Sequence, residues 1–284
     1  MVLIEDIKVR QIFDSRGNPT VEVDLLTGDG IWARAAAPSG ASIGQYEALE
    51  IRDQQEAFNG QGVNKVLSGI MELVVPALVG KQFRTFQEVD DILLEIDGTG
   101  NKSHLGSNGT LPVSLAFAKA LALELQIPFY QLISRYSNTH KISLPIPMFN
   151  EINGGCHADN ALAIQEFMLV PSASIHFTDQ LEKVHQIIYH LRTMLKKKGF
   201  STNVGDEGGF GPLIHNTREA LDIISEAICL SNSYHDVKIA LDVAASEFYQ
   251  EGIYYIDEQC FNSSQLLQYY QKLLNEYQNI ISLE

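Results

Sequence analysis

The residues best suited to chemistry lie in the stretch VGDEGGF at 204–210, where two adjacent carboxylates are framed by three glycines. Glycine lets the backbone adopt positive φ and approach a ligand closely, although it loses more conformational entropy on ordering than any other residue. Glu207 or Asp206 could transfer a proton or bind a metal from a loop above a rigid scaffold. A solvated turn is the alternative, since Gly and Asp are ordinary turn residues.

Three further carboxylates lie in, or at the end of, apolar strand-like runs. Glu166 lies in the run 163–170, Asp242 follows the apolar residues of the run 237–243, and Glu284 ends the run 279–284. Acids at the C-terminal ends of successive buried strands lie at the same end of a (β/α)8 barrel, which is the end that holds the active site. Asp242 and Glu284 would then be oxygen ligands for a cation such as Mg2+. Any one of these acids alone could instead be a solvated or helix-capping residue.

Two loops offer additional candidates. The loop NGGCHADN at 153–160 contains His157, which could bind an anionic substrate or assist proton transfer, or do neither. Its neighbour Cys156 is not expected to pair with His157, since adjacent side chains seldom face each other. The loop PSGASIG at 38–44 is either a plain connection or a mobile lid on which Ser42 offers an oxygen ligand.

The elements that must position these residues change character along the chain. Residues 2–37 alternate like a short antiparallel meander, and apolar residues then recur at helical spacing. Pro112 falls inside the last of these helical patterns and is expected in its first turn. Strands first and helices afterwards predict an α+β domain, which we assign to residues 1–138. The helical patterns cover 64–78, 85–96 and 107–126.

From Lys141 onwards, apolar runs alternate with helical patterns. This alternation predicts a parallel sheet, open or closed into a barrel, which we assign to residues 139–284. A hairpin is also expected over 247–256. The apolar runs are 144–150, 163–170, 237–243 and 279–284, and the helical patterns are 175–198, 217–231 and 263–277.

Composition and charge limit the classes of function. A length of 284 residues suffices for two domains with sizeable cores. The formal net charge of -15 would repel a phosphate backbone, so nucleic acid is not expected as a partner. No apolar run approaches the roughly 20 residues of a membrane span, and the first residues do not resemble a signal peptide. Three cysteines at unrelated spacings favour a reducing, cytoplasmic compartment over a disulfide framework or a zinc site.

Seven short motifs, taken together and in order, resemble one family: the enolases, the glycolytic phosphopyruvate hydratases. The resemblance implies an N-terminal α+β domain followed by a (β/α)8 TIM barrel, usually in a homodimer. It also implies the reversible dehydration of 2-phosphoglycerate to phosphoenolpyruvate with Mg2+ as cofactor. The motifs are DSRGNPT at 14–20, PSGAS at 38–42, NKS at 101–103, NGG at 153–155 with HADN at 157–160, QEFM at 165–168, GDEGG at 205–209 and AASEF at 244–248.

The resemblance also implies roles for the candidate residues. Glu207 corresponds to the general acid that helps the hydroxyl leave, with Glu166 beside it. Substrate contacts are implied for His157, Gln165 and Glu166. Ligation of the first Mg2+ is implied for Asp242 and Glu284, and completion of a second Mg2+ site for Ser42. These residue types suit the reaction, because divalent charge on the substrate carboxylate stabilises the dianion formed when the neighbouring proton is lost.

The chain also departs from the family pattern. Ile43 and Cys156 replace other residue types, and the helix over 107–126 has an unusual GTLP start. Residues 141–284 are far fewer than the roughly 250 of a typical barrel. The third Mg2+ ligand, the lysine base and the phosphate-binding residues of the family are not among these 284 residues. We therefore expect a truncated, incomplete barrel with unpaired sheet edges, a tendency to aggregate, and negligible dehydratase activity from this chain alone.

Two alternatives to an active enolase remain open on the sequence. The chain could be a truncated pseudoenzyme that acts as a binding protein. It could also be one piece of an active enzyme whose remaining portion is encoded separately or was cut by a frameshift.

Overall fold

The structure is a computed structural model that describes residues 1–38, 40, 44–139, 142–205 and 208–284. Two predicted site residues, Ser42 and Glu207, lie outside the described residues, as does Asp206. The chain divides into two compact units, Met1–Ser143 and Leu144–Glu284. Each unit is described by itself.

Unit 1 is an α+β unit, as the order of its sequence patterns predicts. Within its described residues a π-helical segment, Ile70–Val74, joins the first two helices, and a short 3-10 turn covers Ala57–Gly60. Its elements are β1 (Val2–Phe13), β2 (Pro19–Thr27), β3 (Trp32–Ala36), α1 (Asn64–Gly69), α2 (Val75–Leu78), β4 (Gln82–Phe83), α3 (Phe86–Asp97), α4 (Ser107–Glu124) and α5 (Phe129–Tyr136).

The strands of unit 1 form an antiparallel sheet in the order β3-β2-β1-β4. Val21, Val23 and Leu25 alternate along β2 and are all completely buried in a core shared with the helices. Helix α4 packs against both β2 and β3. Alternate residues of a strand point to the same face of its sheet. The apolar residues of β2 therefore share one face, and the apolar surface of α4 covers that face.

The predicted position of Pro112 was wrong. Because α4 already begins at Ser107, Pro112 lies in the second turn. Proline has no N–H, so the carbonyl of Asn108 receives no helical hydrogen bond from it. The early start is held from outside the helix: the side chain of Asn108 accepts from the backbone N of Ile51 at 3.1 Å and donates to its O at 3.0 Å.

Unit 2 alternates strands and helices, as expected from its apolar runs. A 3-10 turn, Gly155–His157, follows its first strand, and another, Ala245–Phe248, follows β9. The described elements are β5 (Phe149–Asn153), β6 (Glu166–Pro171), α6 (Phe177–Lys197), β7 (Val204–Gly205), β8 (Gly208–Phe210), α7 (Thr217–Leu230), β9 (Val237–Asp242), β10 (Tyr249–Gln250), β11 (Ile253–Ile256), β12 (Gln259–Phe261), α8 (Ser263–Glu276) and β13 (Ile280–Leu283).

The main sheet of unit 2 is mixed, which corrects the predicted parallel sheet. In the described residues its order is β13-β9-β6-β5-β8-β7. The pairs β13/β9 and β5/β8 are parallel, whereas β6 is antiparallel to both β5 and β9. The physical reason is the connection between β5 and β6, which contains only a short 3-10 turn. A parallel pair needs a long crossover, usually a helix, but an antiparallel pair does not.

Strand β6 is buried on both faces. Phe167 and Leu169 belong to the large core that the sheet forms with α6, α7 and α8. Met168 and Val170, on the opposite face, form a small separate cluster with Ala240 of β9. The hairpin expected over 247–256 is present as β10 and β11, and β12 extends it to a small antiparallel sheet of its own.

Among the described residues, no single helix is long and apolar enough to cross a membrane. In the part of the chain that the structure describes, one pair of helices, α4 and α5, passes the same length and composition test when the two are taken together, and it is bent by 102° at the break between them.

Candidate active site

Strands β6 and β9 bring the predicted acids together. Glu166 begins β6 and Asp242 ends β9, and the antiparallel register makes these two residues direct partners. Gln165 donates from its backbone N to the Asp242 O at 3.0 Å and from its side-chain Nε2 to Asp242 Oδ2 at 2.9 Å. The reversed direction of β6 is therefore what places Glu166 at the same edge of the sheet as the C-terminal acid of β9.

His157 reaches the same edge from the loop between β5 and β6. Its side chain is 3% exposed, and Nδ1 lies 3.1 Å from Glu166 Oε1. The loop is folded back onto β6 by two backbone bonds, from Gly154 N to Gln165 O at 2.9 Å and from Gly155 N to Leu162 O at 2.8 Å. Gly154 is required at this close approach, because a Cβ there would lie 2.5 Å from Leu162 Cβ.

Glu284 lies beside Asp242 on the neighbouring strand. Its backbone N donates to Leu241 O and its O accepts from Val243 N, both at 2.9 Å. These two bonds bracket Asp242, so Asp242 and Glu284 occupy adjacent positions at the ends of parallel strands β9 and β13. Glu284 is exposed, whereas Asp242 is partly buried.

The carboxylates at this edge suit Mg2+ chemically. Mg2+ usually takes one or two protein carboxylates and completes its shell with water and substrate oxygens. Asp242 is oriented by hydrogen bonds to both oxygens, from Gln165 Nε2 to Oδ2 and from Ala244 N to Oδ1 at 3.1 Å. Within the described ranges, however, no group of three or more His, Cys, Asp or Glu side chains is close enough to hold a metal. The site thus offers a two-carboxylate donor set rather than a complete protein cage.

Two buried or half-buried asparagines were missed as site residues by sequence reasoning. Asn153 is fully buried and donates from Nδ2 to the carbonyls of Gly208 at 2.6 Å and Gly209 at 3.1 Å. Asn160 donates from Nδ2 to Asn153 O at 2.8 Å and to Pro212 O at 3.0 Å. Together they anchor the C-terminal flank of the 204–210 loop. The available signal was an amide at the end of an apolar strand, just before two glycines.

Cys156 does not pair with His157, in agreement with the sequence prediction. Its Sγ donates to Glu247 Oε2 at 3.0 Å, a residue 91 positions along the chain. The hydrogen bond to Glu247, together with partial burial, raises the pKa of the Cys156 thiol. A raised pKa lowers the thiolate fraction, which argues against a nucleophilic role.

The fold and the site define a class: an α+β unit followed by a barrel-type unit with acids gathered at one sheet edge. The family model for the enolase N-terminal domain matches residues 4–133, and that for the enolase C-terminal TIM barrel domain matches residues 141–284. The chain belongs to the enolase family, so the predicted resemblance and fold class are confirmed, and unit 2 carries part of a TIM barrel.

Curated relatives agree with the family models. An enolase of Ehrlichia chaffeensis is 44% identical over 286 residues, covering 100% of this chain and 67% of the relative. An enolase of Methanocaldococcus jannaschii is 41% identical over 283 residues, covering 99% of this chain and 66% of the relative. The chain thus spans about two thirds of the length of the curated relatives it matches.

Proposed function

We propose that this chain contributes the acid side of an enolase site, for the reversible dehydration of 2-phosphoglycerate to phosphoenolpyruvate. The observation that carries the proposal is the meeting of Gln165, Glu166 and Asp242 where β6 begins and β9 ends, with His157 against Glu166. A phosphorylated hydroxy acid presents oxygens that amide and imidazole donors can bind and that a cation can bridge to carboxylates.

The residues take distinct roles in this proposal. Glu207 is the general acid that protonates the leaving hydroxyl, a role that rests on its motif because it lies outside the described residues. Glu166 lies beside it and, with Gln165 and His157, binds the substrate. Contact with Glu166 holds the His157 ring in one orientation, which fixes the nitrogen available to a ligand. Asn153 and Asn160 position the loop of the general acid.

Asp242 and Glu284 would hold Mg2+, and Ser42 would complete a second Mg2+ site. When bound, the metal supplies positive charge next to the substrate carboxylate and so favours loss of the neighbouring proton. The part of this chain is to hold Asp242 in a fixed rotamer. Hydrogen bonds from Gln165 and Ala244 do this.

We further propose a cytoplasmic location and a homodimer for the complete enzyme. Cys156, Cys229 and Cys260 are free thiols, which suits a reducing compartment. The homodimer rests on the family alone and would be tested by sedimentation velocity.

The first test is the activity of the 284-residue chain alone. We expect negligible phosphoenolpyruvate formation, because no residue in it replaces the lysine base that the family resemblance implies. The measurement is the absorbance of phosphoenolpyruvate at saturating substrate and Mg2+. Turnover within about tenfold of an ordinary enolase would contradict this expectation.

The second test supplies the rest of the barrel. Residues 1–284 are fused to the remaining third of the Ehrlichia chaffeensis enolase, and turnover is measured for the chimera and its variants. We expect an active chimera in which Glu207→Gln reduces kcat by about 10²-fold or more, as for loss of a general acid. Exposed Glu182→Gln is the matched control and should leave kcat unchanged. A folded chimera that binds 2-phosphoglycerate without turnover would favour a binding protein instead.

A further inference from the structure

A cavity of about 430 Å³ in unit 2 has none of the residues assigned to proton transfer, substrate binding or metal binding among its described lining, although Val204 and Gly209 of the 204–210 loop border it. Its apolar wall includes Phe149 of β5, Ile188 of α6 and Phe210 of β8. Three polar residues also line it: Asn150, Glu151 and Arg192. Apolar walls with a few polar groups are typical of small-molecule sites.

Glu151 is a buried acid that the proposed dehydration does not use. It is 4% exposed, and burial is the single cause of the shift of its pKa, with no contribution from a neighbouring charge or hydrogen bond. Burial raises its pKa to about 8. An unpartnered buried carboxyl group destabilises the fold, so its presence calls for a compensating ligand or a functional reason.

The backbone explains why Glu151 points into the cavity. In the β5/β6 ladder Asn150 pairs with Met168 and Ile152 with Phe167, so Glu151 is an extra residue without a cross-strand partner. Such a bulge turns one side chain away from the regular alternation, and bulges are common beside functional sites. The bulge thus removes Glu151 from the ladder and presents its carboxyl group to the cavity.

The other two polar lining residues complement this acid. The side-chain oxygen of Asn150 is buried without a partner among the described residues, so it is a second available acceptor. Arg192, on α6, is the other charged lining residue that the structure describes. Its guanidinium lies over the Phe210 ring at 5.4 Å from the centroid and forms no ion pair within the described residues.

We propose that this cavity binds a small apolar α-amino acid. Its ammonium group is bound by Glu151, its carboxylate by Arg192, and its side chain by the apolar wall. A plain amine would place a second cation near Arg192, and a plain carboxylic acid would place a second acid near Glu151. A zwitterion satisfies both charges at once.

Binding is linked to a proton. Glu151 is mostly protonated at neutral pH in the free chain, and an ammonium group stabilises its ionised form. The Glu151 O–H bond breaks, its proton passes to solvent, and the carboxylate accepts hydrogen bonds from the ammonium group. Proton release on binding is therefore expected at pH 7 and should vanish above the pKa of Glu151.

The test is isothermal titration of the 284-residue chain with L-leucine and two matched probes. Isoamylamine lacks the carboxylate of leucine, and 4-methylpentanoate lacks the amine. We expect saturable leucine binding with both probes at least about tenfold weaker, which is about 1.4 kcal/mol. Titration in two buffers of different ionisation enthalpy measures the released proton.

Variants assign the binding to this cavity. Glu151→Gln and Arg192→Gln should each weaken leucine binding at least about tenfold, and Glu151→Gln should also abolish proton release. The control variants on α6, Glu182→Gln and Lys196→Gln, should leave both leucine binding and proton release unchanged. No saturable leucine binding, or equal binding by Glu151→Gln, would overturn the proposal. If Glu151→Gln loses its native circular dichroism, Arg192→Gln decides, because that side chain is exposed and outside the core.

Discussion

Asn153 joins β5 to β8 of unit 2 through one buried amide. Its Nδ2 holds the carbonyls of Gly208 and Gly209, and its Oδ1 accepts a hydrogen bond from Asn150. Because this residue is fully buried, water cannot replace these bonds. The loop that carries the proposed general acid therefore depends on a side chain with no chemical role of its own.

Replacing Asn153 by alanine should destabilise unit 2 by about 1–3 kcal/mol, because the carbonyls of Gly208 and Gly209 lose their donor and a small cavity forms at the buried position 153. Urea denaturation followed by circular dichroism measures the loss. Asn275→Ala on the exposed side of α8 is the control and should stay within about 0.5 kcal/mol. Equal midpoints for the two variants would show that the amide does not anchor the loop.

Glu151 should make stability depend on pH above the normal carboxyl range. Its folded pKa of about 8 exceeds the unfolded value of 4.5, so the folded chain binds the extra proton between these limits. The contribution of Glu151 to the free energy of unfolding is therefore most favourable below pH 4.5. It falls as the pH rises towards 8, by up to about 1.4 kcal/mol per pH unit.

The measurement is the urea midpoint at pH 5, 6, 7 and 8, with Glu151→Gln compared with Glu182→Gln. The Glu151→Gln variant should lose this part of the slope, since its amide does not ionise. A slope that Glu151→Gln leaves unchanged would exclude Glu151 as its source.

Site residues could be predicted from sequence where they belong to a recognisable motif. Contacts that form only through the fold could not be predicted. Glu166, Gln165, Asp242 and His157 were proposed from sequence and lie together in the structure. The bond between Cys156 and Glu247, by contrast, joins residues 91 positions apart. No local pattern records such a contact, because it arises only after β9 has docked beside β6.

At the level of elements, the loop between β5 and β6 places His157 against Glu166, and the absence of a side chain at Gly154 lets this loop pack closely on β6. A methyl group at position 154 would overlap Ile164 O and Leu162 Cβ. We expect Gly154→Ala to destabilise unit 2 by about 2 kcal/mol or more, because buried backbone must move to relieve the overlap.

Gly100→Ala is the control, since a Cβ there meets nothing within 4 Å. Thermal denaturation of both variants measures the difference. A Gly154→Ala protein as stable as Gly100→Ala would mean that the loop relaxes freely, and His157 would then not be held against Glu166 by this packing.

Apolar periodicity located most strands of unit 2 but could not give their directions. A buried strand reads the same whether its neighbours are parallel or antiparallel, so β6 was expected to be parallel. The signal that was available lies in the connection: residues 154–165 are at the lower limit of length for a crossover and begin with two glycines, which leaves little room for a helix. Pro112 was misplaced for a similar reason, since a helix start fixed by a distant side chain leaves no local mark.

At the scale of the molecule, the two units differ in how fully their sheets are enclosed by the residues described. Unit 1 has its own core, made by the strands β1 to β3 with α4 against them. Unit 2 has a helix-covered core on one face of a sheet whose order begins with β13 and ends with β7. Among the described strands, β13 and β7 are thus the outer strands of the sheet that belongs to the incomplete barrel.

A fragment of residues 1–138 should fold alone, because it contains every described strand and helix of unit 1. We expect a cooperative thermal transition and a mixed α+β circular dichroism spectrum. A fragment of residues 1–115, which cuts α4 in half, should show neither, since it loses much of the helix that packs on β2 and β3. A non-cooperative 1–138 fragment would place the domain boundary elsewhere.

The order of sheet strands in unit 2 has a consequence for biosynthesis. His157 and Glu166 leave the ribosome early, whereas Asp242, which bonds to Gln165, follows 77 residues after it. Until β9 is made and inserted beside β6, the nascent chain exposes one edge of β6 for several seconds at ordinary elongation rates. The strand that begins with Glu166 is thus open to aggregation along one edge until that moment of translation.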